Sequence, residues 1–124
     1  MGFLFSEDLR IEDVLDLNLK QEVLNFLSKN NAGSPKKIEL DIDGKKYVFN
    51  NVLNFNKNAK LENMREYTKI LDDVLNNEIP FGRDGFGNIY LLDLDLYTVK
   101  FYDHENNCKI DLLPFDEFVK ILGE

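Results

Sequence analysis

The dipeptide Asp43-Gly44 lies between two short runs in which apolar and polar residues alternate. Asp-Gly favours the two-residue type I′ turn that joins antiparallel strands, so it determines which residues face one another. The register pairs Ile42 with Lys45, Leu40 with Tyr47 and Ile38 with Phe49 on one face, and Asp41 with Lys46 on the other. The sequence therefore predicts a β-hairpin over residues 38–49 with one largely apolar face.

Apolar residues at helical spacing predict three helical segments. The first covers residues 6–31 in two pieces, with Ser6 as its N-cap. The second covers about residues 61–76 and must end before Pro80, which lacks an N–H donor. The third covers residues 114–122. The predicted buried stripe of the second helix contains Leu61, Met64, Tyr67 or Thr68, Leu71, and Val74 or Leu75.

A glycine-rich segment, residues 81–88, follows Pro80. Its glycines and the asparagine after them predict a compact turn with unusual backbone angles, and the turn residues are Gly82, Gly85, Gly87 and Asn88. The apolar run 89–94 predicts a strand buried on both faces. From residue 97 apolar and polar residues alternate again, but in a shifted phase. Residues 95–97 are therefore expected to connect two antiparallel strands. Residues 104–107 predict another turn, and residues 108–112 a last strand.

The order of elements is helix, two strands, helix, several strands, helix. This order predicts the α+β class, with an antiparallel sheet covered by helices in a single domain over residues 1–124. No apolar run approaches the roughly 20 residues that a membrane-spanning helix needs. Residues 1–5 lack a basic region, so no secretory leader is expected. We expect a cytoplasmic protein with no membrane partner.

The balance of charge is acidic: 15 Lys+Arg against 23 Asp+Glu give a net charge of −8 and a pI near 4.6. Neutralising phosphates requires a cationic surface, so this balance argues against nucleic-acid partners. The only cysteine, Cys108, cannot form an internal disulfide, which fits a reducing compartment.

Few residues could support catalysis or hold a metal. One histidine, His104, and one cysteine leave no ligand set for a structural zinc site. A thiolate at Cys108 would be disfavoured by the acidic residues around it. Asp93 and Asp95 share a face of an extended strand, but Mg²⁺ and Ca²⁺ normally need more oxygen ligands. We expect no catalytic residue, no metal and no cofactor; the enzyme interpretation ranks last.

Residues 79–93, IPFGRDGFGNIYLLD, resemble the SUKH superfamily, which contains the yeast cell-wall synthesis regulator and many bacterial immunity proteins. The resemblance extends to residues 99–105, VKFYDHE, to residues 115–122, FDEFVKIL, and to residues 24–33, LNFLSKNNAG. These matches occur in the same order as in the family and cover both ends and the centre of the chain.

The resemblance implies a SUKH-like fold and an immunity protein that binds and neutralises a cognate secreted toxin, often a nuclease. Because a nuclease cleft is cationic, an acidic inhibitor gains steering and complementarity. We expect a monomer or a weak homodimer, since the edge strands of the sheet can be capped or can pair with a second copy. The alternative is a non-catalytic scaffold or regulatory interaction domain.

The candidate partner-binding residues combine acidic and aromatic side chains with one arginine. They are Arg83, Asp84, Phe86, Asp93, Asp95, Tyr97, Tyr102, Asp103 and Glu105, with Asp111 as a further acidic contributor. Structural roles compete with partner contact at several of them. Asp84 could bond amides in its own turn, and Arg83 could pair internally with Asp84 or Asp93 or reach a partner carboxylate. Tyr90 and Phe101 are expected in the core.

Overall fold

The computed structural model describes residues 3–123, in which three helices and seven strands follow two 3₁₀ turns. The 3₁₀ turns are Ile11–Asp13 and Leu15–Leu17, and the helices are α1 (Gln21–Asn30), α2 (Met64–Ile70) and α3 (Phe115–Ile121). The strands are β1 (Glu39–Ile42), β2 (Lys45–Val48), β3 (Asn51–Val52), β4 (Glu78–Arg83), β5 (Ile89–Asp93), β6 (Thr98–Asp103) and β7 (Cys108–Pro114). The expectation that no secretory leader is present concerns residues 1–5, of which Met1 and Gly2 lie outside the described residues.

The centre of the fold is a five-stranded antiparallel sheet in the order β3-β4-β5-β6-β7, beside the two-stranded β1-β2 sheet. Alternate residues of β5 face opposite sides: Tyr90 belongs to a core cluster that includes residues of α1, α3 and the hairpin, whereas Leu91 belongs to a second cluster with residues of and after α2. The predicted α+β class is confirmed, as is the burial of the β5 run. The longest described helix, α1, has ten residues, and no described helix is long and apolar enough to cross a bilayer.

The predicted hairpin is confirmed in turn and register. Asp43 and Gly44 have φ of 53° and 78°, which is the type I′ geometry. Ile42 faces Lys45, Leu40 faces Tyr47 and Asp41 faces Lys46, whose ammonium lies 3.7 Å from the carboxylate. The Phe49 N–H donates to the Ile38 carbonyl at 2.8 Å, although the Ile38 side chain is exposed at the sheet's end.

The predicted helix from Ser6 is wrong. Leu4 exchanges two main-chain hydrogen bonds with Ser34, and the Glu7 N–H donates to the Asn31 carbonyl. These long-range bonds hold residues 4–7 as an irregular segment, and an α-helix begins only at Gln21. The second helix is also shorter than predicted. It begins at Met64, because the Asn63 side chain caps it through the Arg65 N–H, and Leu61 is 79% exposed.

Strand β4 was missed because Pro80 suggested a break. The pairing of β4 with β5 shifts register between Pro80 and Gly82, and such an irregularity is where a strand tolerates proline. Gly82 therefore lies in a strand, not in the predicted turn. A Cβ there would lie 2.4 Å from two ring carbons of Phe49, so close packing explains this glycine.

Candidate functional site

The loop between β4 and β5, residues 84–88, is organised by one buried carboxylate. Asp84 is 5% exposed. Its Oδ1 accepts from the main-chain N–H groups of Phe86 at 2.7 Å and Asn88 at 3.1 Å, and its Oδ2 accepts from the Asn88 side chain at 2.7 Å. Gly85 and Gly87 have φ of 88° and 98°, which confirms their turn role. The loop thereby holds Phe86 outward, with 70% of its surface exposed.

The same loop is joined to the turn between β6 and β7. Asn88 Oδ1 accepts from the His104 N–H at 3.1 Å and lies 2.8 Å from His104 Nδ1. Since the amide nitrogen of Asn88 faces Asp84, this oxygen is an acceptor, so His104 Nδ1 carries a proton. A Cβ at Gly87 would lie 2.7 Å from the ring carbon Cε1 of His104. The two turns therefore form one rigid end of the sheet.

Arg83 forms an internal ion pair, but the predicted partners are wrong. Its Nη1 lies 2.9 Å from Glu62 Oε2 and donates to Asn51 Oδ1 at 3.0 Å. The Asn51 side chain in turn donates to Glu62 Oε1 at 2.7 Å. The Asp84 carboxylate is turned into its own loop, and Asp93 lies at the far end of β5, so neither reaches the guanidinium.

A mostly apolar cleft of about 240 Å³ separates the end of α2 from the 84–88 loop. It is lined by Tyr67, Ile70, Leu71, Arg83, Gly87, Asn88, Ile89, Tyr102 and His104. Two exposed apolar residues adjoin its lining along the chain: Phe86 precedes Gly87, and Leu61 precedes Glu62, which binds Arg83. Together with Ile70, which is 74% exposed, they form what we call the apolar rim.

The structure brings some predicted residues to this cleft and leaves others away from it. Arg83, Gly87, Asn88 and Tyr102 line it, although Tyr102 is 7% exposed and its hydroxyl lies 2.8 Å from Asn107 Oδ1. Asp84 and Phe86 belong to the adjoining loop. Asp103 and Glu105 flank His104 in the next turn. Gly82 lies within β4.

Asp103 is itself a turn-forming residue. Its carboxylate accepts from the side chain and N–H of Asn106 and from the N–H of Glu105. The hydrogen bond from the Asn106 side chain contributes most to lowering the pKa of Asp103 below its usual range, and the main-chain bonds lower it further. Glu105, by contrast, is exposed. Asp111 is exposed on the edge strand β7.

The remaining predicted residues, Asp93, Asp95 and Tyr97, lie at the opposite end of β5 and β6, about 15 Å away at roughly 3.3 Å per residue. Asp93 accepts from the main-chain N–H groups of Leu96 and Asp95, which lower its pKa, and from Lys100. Asp95 accepts from Asn77. Tyr97 is 8% exposed, and its hydroxyl accepts from the Lys20 N–H.

No group of three His, Cys, Asp or Glu residues that could hold a metal ion occurs within residues 3–123. Sequence reasoning also missed His104, Glu62 and the two apolar residues Leu61 and Ile70 as parts of the site. One signal was available for Ile70, since it is an apolar residue outside the predicted buried stripe of its helix. Nothing local in the sequence indicates that Glu62 meets Arg83.

The fold and the cleft define a small α+β protein in which an antiparallel meander carries helices on both faces. The family model SUKH_6, described as SMI1-KNR4 cell-wall, matches residues 9–119, and the chain therefore belongs to this SUKH family. The resemblance found in the sequence is confirmed. Comparison with curated proteins and with solved structures gave no match.

Proposed function

We propose that this protein is a cytoplasmic immunity protein that binds a cognate toxin stoichiometrically and blocks it, without a catalytic step, cofactor or nucleic-acid partner of its own. The SUKH family is known generally as immunity-like, and its domain suggests protein-protein interaction. The observation that carries the proposal is the apolar rim. Ile70 lines the cleft, Phe86 is next in sequence to Gly87 of its lining, and Leu61 is next to Glu62, which binds Arg83. All three side chains are 70–79% exposed, and exposed apolar groups of this kind mark protein contacts.

The geometry favours binding because its polar groups hold the surface in place. Asp84 and Asp103 each accept main-chain hydrogen bonds within their own turns. The Arg83–Glu62 ion pair fixes the segment that carries Leu61. A surface that is rigid before binding loses little conformational entropy when a partner docks, which favours tight inhibition.

Co-expression with a toxin domain encoded by a neighbouring gene is the direct test. We expect the chain to rescue cells from that toxin and to copurify with it in a 1:1 complex. Rescue and complex are measured by colony counts and by light scattering after gel filtration. If the two proteins neither form a complex nor give rescue, the immunity function is rejected, and a scaffold or regulatory role replaces it.

The apolar rim gives a sharper prediction for the same complex. Ile70→Ala and Phe86→Ala should each weaken toxin binding by about 30-fold, since central interface side chains contribute about 2 kcal/mol. Both side chains are exposed, so the thermal midpoint should change little. Leu96→Ala is the matched control, because Leu96 is 78% exposed at the far end of β5. Equal affinities for the wild type and both rim variants would place the interface elsewhere.

A further inference from the structure

The five-stranded sheet has one covered edge and one open edge. At the β3 edge, the Val52 N–H donates to the Gly33 carbonyl at 2.8 Å, and the Ala32 N–H donates to the Leu53 carbonyl at 3.3 Å. Residues 32–33 therefore lie along that edge and cap it. At the other edge is β7, which pairs with β6. Within residues 3–123, no main-chain group of β7 is bonded to the main chain of any further segment. The open edge is therefore β7, the longest strand of the sheet.

Strand β7 lacks the usual protection of an open edge. Proteins commonly block such an edge with a lysine that projects into solvent or with a bulge. The register shift between β6 and β7 lies beyond Asp111, so residues 108–111 pair regularly with β6. The Lys109 ammonium is turned inward, since its Nζ lies 2.6 Å from Glu78 Oε1 and 2.6 Å from the Val74 carbonyl oxygen. Neither device keeps another strand away from residues 108–111.

The sequence of β7 is complementary to itself when two copies run antiparallel about Ile110. In that register Lys109 of each copy lies opposite Asp111 of the other, and Cys108 lies opposite Leu112. Neighbouring residues of a strand point to opposite faces, so both ion pairs lie on one face and the two Ile110 side chains meet on the other. A pairing centred on Lys109 or on Asp111 would place like charges opposite each other, which is destabilising. The charges therefore select a single register.

Both members of this ion pair have capacity to spare. An ammonium group has three N–H donors, and Lys109 uses two of them, on Glu78 and Val74. Its side chain remains 27% exposed. Asp111 is exposed, and no contact within residues 3–123 engages its carboxylate. A second copy would therefore give Asp111 a cation and Lys109 a third acceptor, without breaking any bond within the chain.

We propose that two copies of this chain pair antiparallel through β7, centred on Ile110, and join their sheets into one sheet of ten strands. The inference goes beyond the proposed function and needs no toxin. It assigns different roles to the two edges, since β3 is capped and β7 pairs with the second copy. The net charge of −8 on each copy opposes their approach, so the dimer is weak and forms at high protein concentration.

Asp111→Lys tests the register by charge. The dissociation constant of the dimer should rise at least about tenfold, because two pairs of opposite charges become two pairs of like charges. Glu39→Lys is the matched control, since Glu39 is exposed on β1 and the substitution changes the net charge equally. A smaller net charge by itself favours association, so this control should dimerise at least as well as the wild type. Sedimentation equilibrium over a series of protein concentrations measures all three constants.

Cys108→Ser/Ile110→Cys tests the same register by cross-linking. Residues directly opposite each other in antiparallel strands have Cα atoms about 4.5–5.5 Å apart, which a disulfide can bridge. The wild type is the control, because its two Cys108 residues would lie about 13 Å apart along the strands, at roughly 3.3 Å per residue. We expect mild oxidation to give a disulfide-linked dimer of the variant alone, as seen on a non-reducing gel.

Three results would each overturn this inference. They are a wild type that stays monomeric up to about 1 mM, equal dimerisation of Asp111→Lys and Glu39→Lys, and cross-linking of the variant no faster than that of the wild type. The first result would leave β7 open to a strand of a different protein. Circular dichroism checks folding, and Asp111→Asn, with a smaller expected loss, replaces Asp111→Lys should that variant fail to fold. None of these measurements depends on toxin binding, so the proposed function is tested separately.

Discussion

Glu78→Ala is expected to destabilise the fold by about 3 kcal/mol, because removing one partner of a buried ion pair leaves the other charge uncompensated. Glu78 is 5% exposed. Its Oε1 lies 2.6 Å from Lys109 Nζ, and its Oε2 lies 2.8 Å from Lys100 Nζ. Both ammonium groups remain partly accessible, which places the effect at the lower end of the range for buried pairs. Urea denaturation measures the loss.

The matched control is Glu39→Ala. Glu39 is exposed on β1, so its removal should change the free energy of unfolding by less than about 0.5 kcal/mol. Glu78→Gln, which keeps an acceptor of the same shape, should lie between the two. An alanine variant as stable as Glu39→Ala would show that Lys100 and Lys109 are fully satisfied by water once the carboxylate is gone.

The pH dependence of stability gives an independent check of this cluster. Burial raises the pKa of Glu78, but hydrogen bonds from Lys100 and Lys109 outweigh it and lower the pKa below 4.5. The stabilisation is therefore present above the unfolded pKa and is lost as pH falls through the folded one. The bond to Glu78 raises the pKa of Lys100 above 10.5, so its contribution is lost at still higher pH. We expect Glu78→Gln to reduce the loss of unfolding free energy below about pH 4.5.

The cluster also supports the cleft. Lys109 Nζ donates to the Val74 carbonyl at 2.6 Å, and the Asn76 N–H donates to Glu78 Oε1 at 3.1 Å. These bonds attach the segment that follows α2 to strands β4 and β7. Leu71, which lines the cleft, belongs to that segment. The buried charges therefore fix one wall of the proposed interface, although none of them faces the partner.

The features that the sequence predicted well are those determined by neighbouring residues. The Asp43-Gly44 turn fixes its own strands, and the Asp84 loop is closed by bonds between residues at most four positions apart. The features it missed depend on distant partners. Pro80 is compatible with a strand only because β4 and β5 shift register beside it, and Ser6 lies outside a helix because residues 31–34 hold its neighbours.

The same distinction applies to the candidate site. Phe86 was predicted because its glycine-rich loop is local, and it is exposed as an interface residue must be. The predicted acidic group was split because residues close in sequence, such as Asp93 and Asp103, lie at opposite ends of strands β5 and β6. Residues 6–16 were predicted as a helix because their apolar and acidic residues follow one another as in an amphipathic helix. Only their contacts with distant residues, such as Asn56 and Arg65, distinguish them from one.

Gly82→Ala is expected to destabilise the protein by about 3 kcal/mol, which is the upper part of the range for overpacked cores. The added Cβ would lie 2.4 Å from Cε2 and Cζ of Phe49, which is fully buried. The Phe49 ring is surrounded by the rings of Phe81, Tyr90 and Phe118, with centroids 4.9–5.9 Å away, so it has little room to move. Strand β4 is paired on both sides, so its backbone is also held. Urea denaturation measures this loss as well.

Gly85→Ala is the control that distinguishes the effect of this clash on stability from the effect of replacing a glycine where there is room for a Cβ. Gly85 has φ of 88°, and the atoms nearest to an added Cβ lie 3.8 Å away in Asn50, so only backbone strain of about 1 kcal/mol is expected there. Phe49→Leu gives a second test of the clash, because it shortens the side chain that the methyl group of Gly82→Ala would meet. The double variant should be more stable than the sum of the two single losses predicts, by about 1 kcal/mol or more, because contacting residues do not act additively. Strict additivity would mean that strand β4 moves away from Phe49 instead of compressing it.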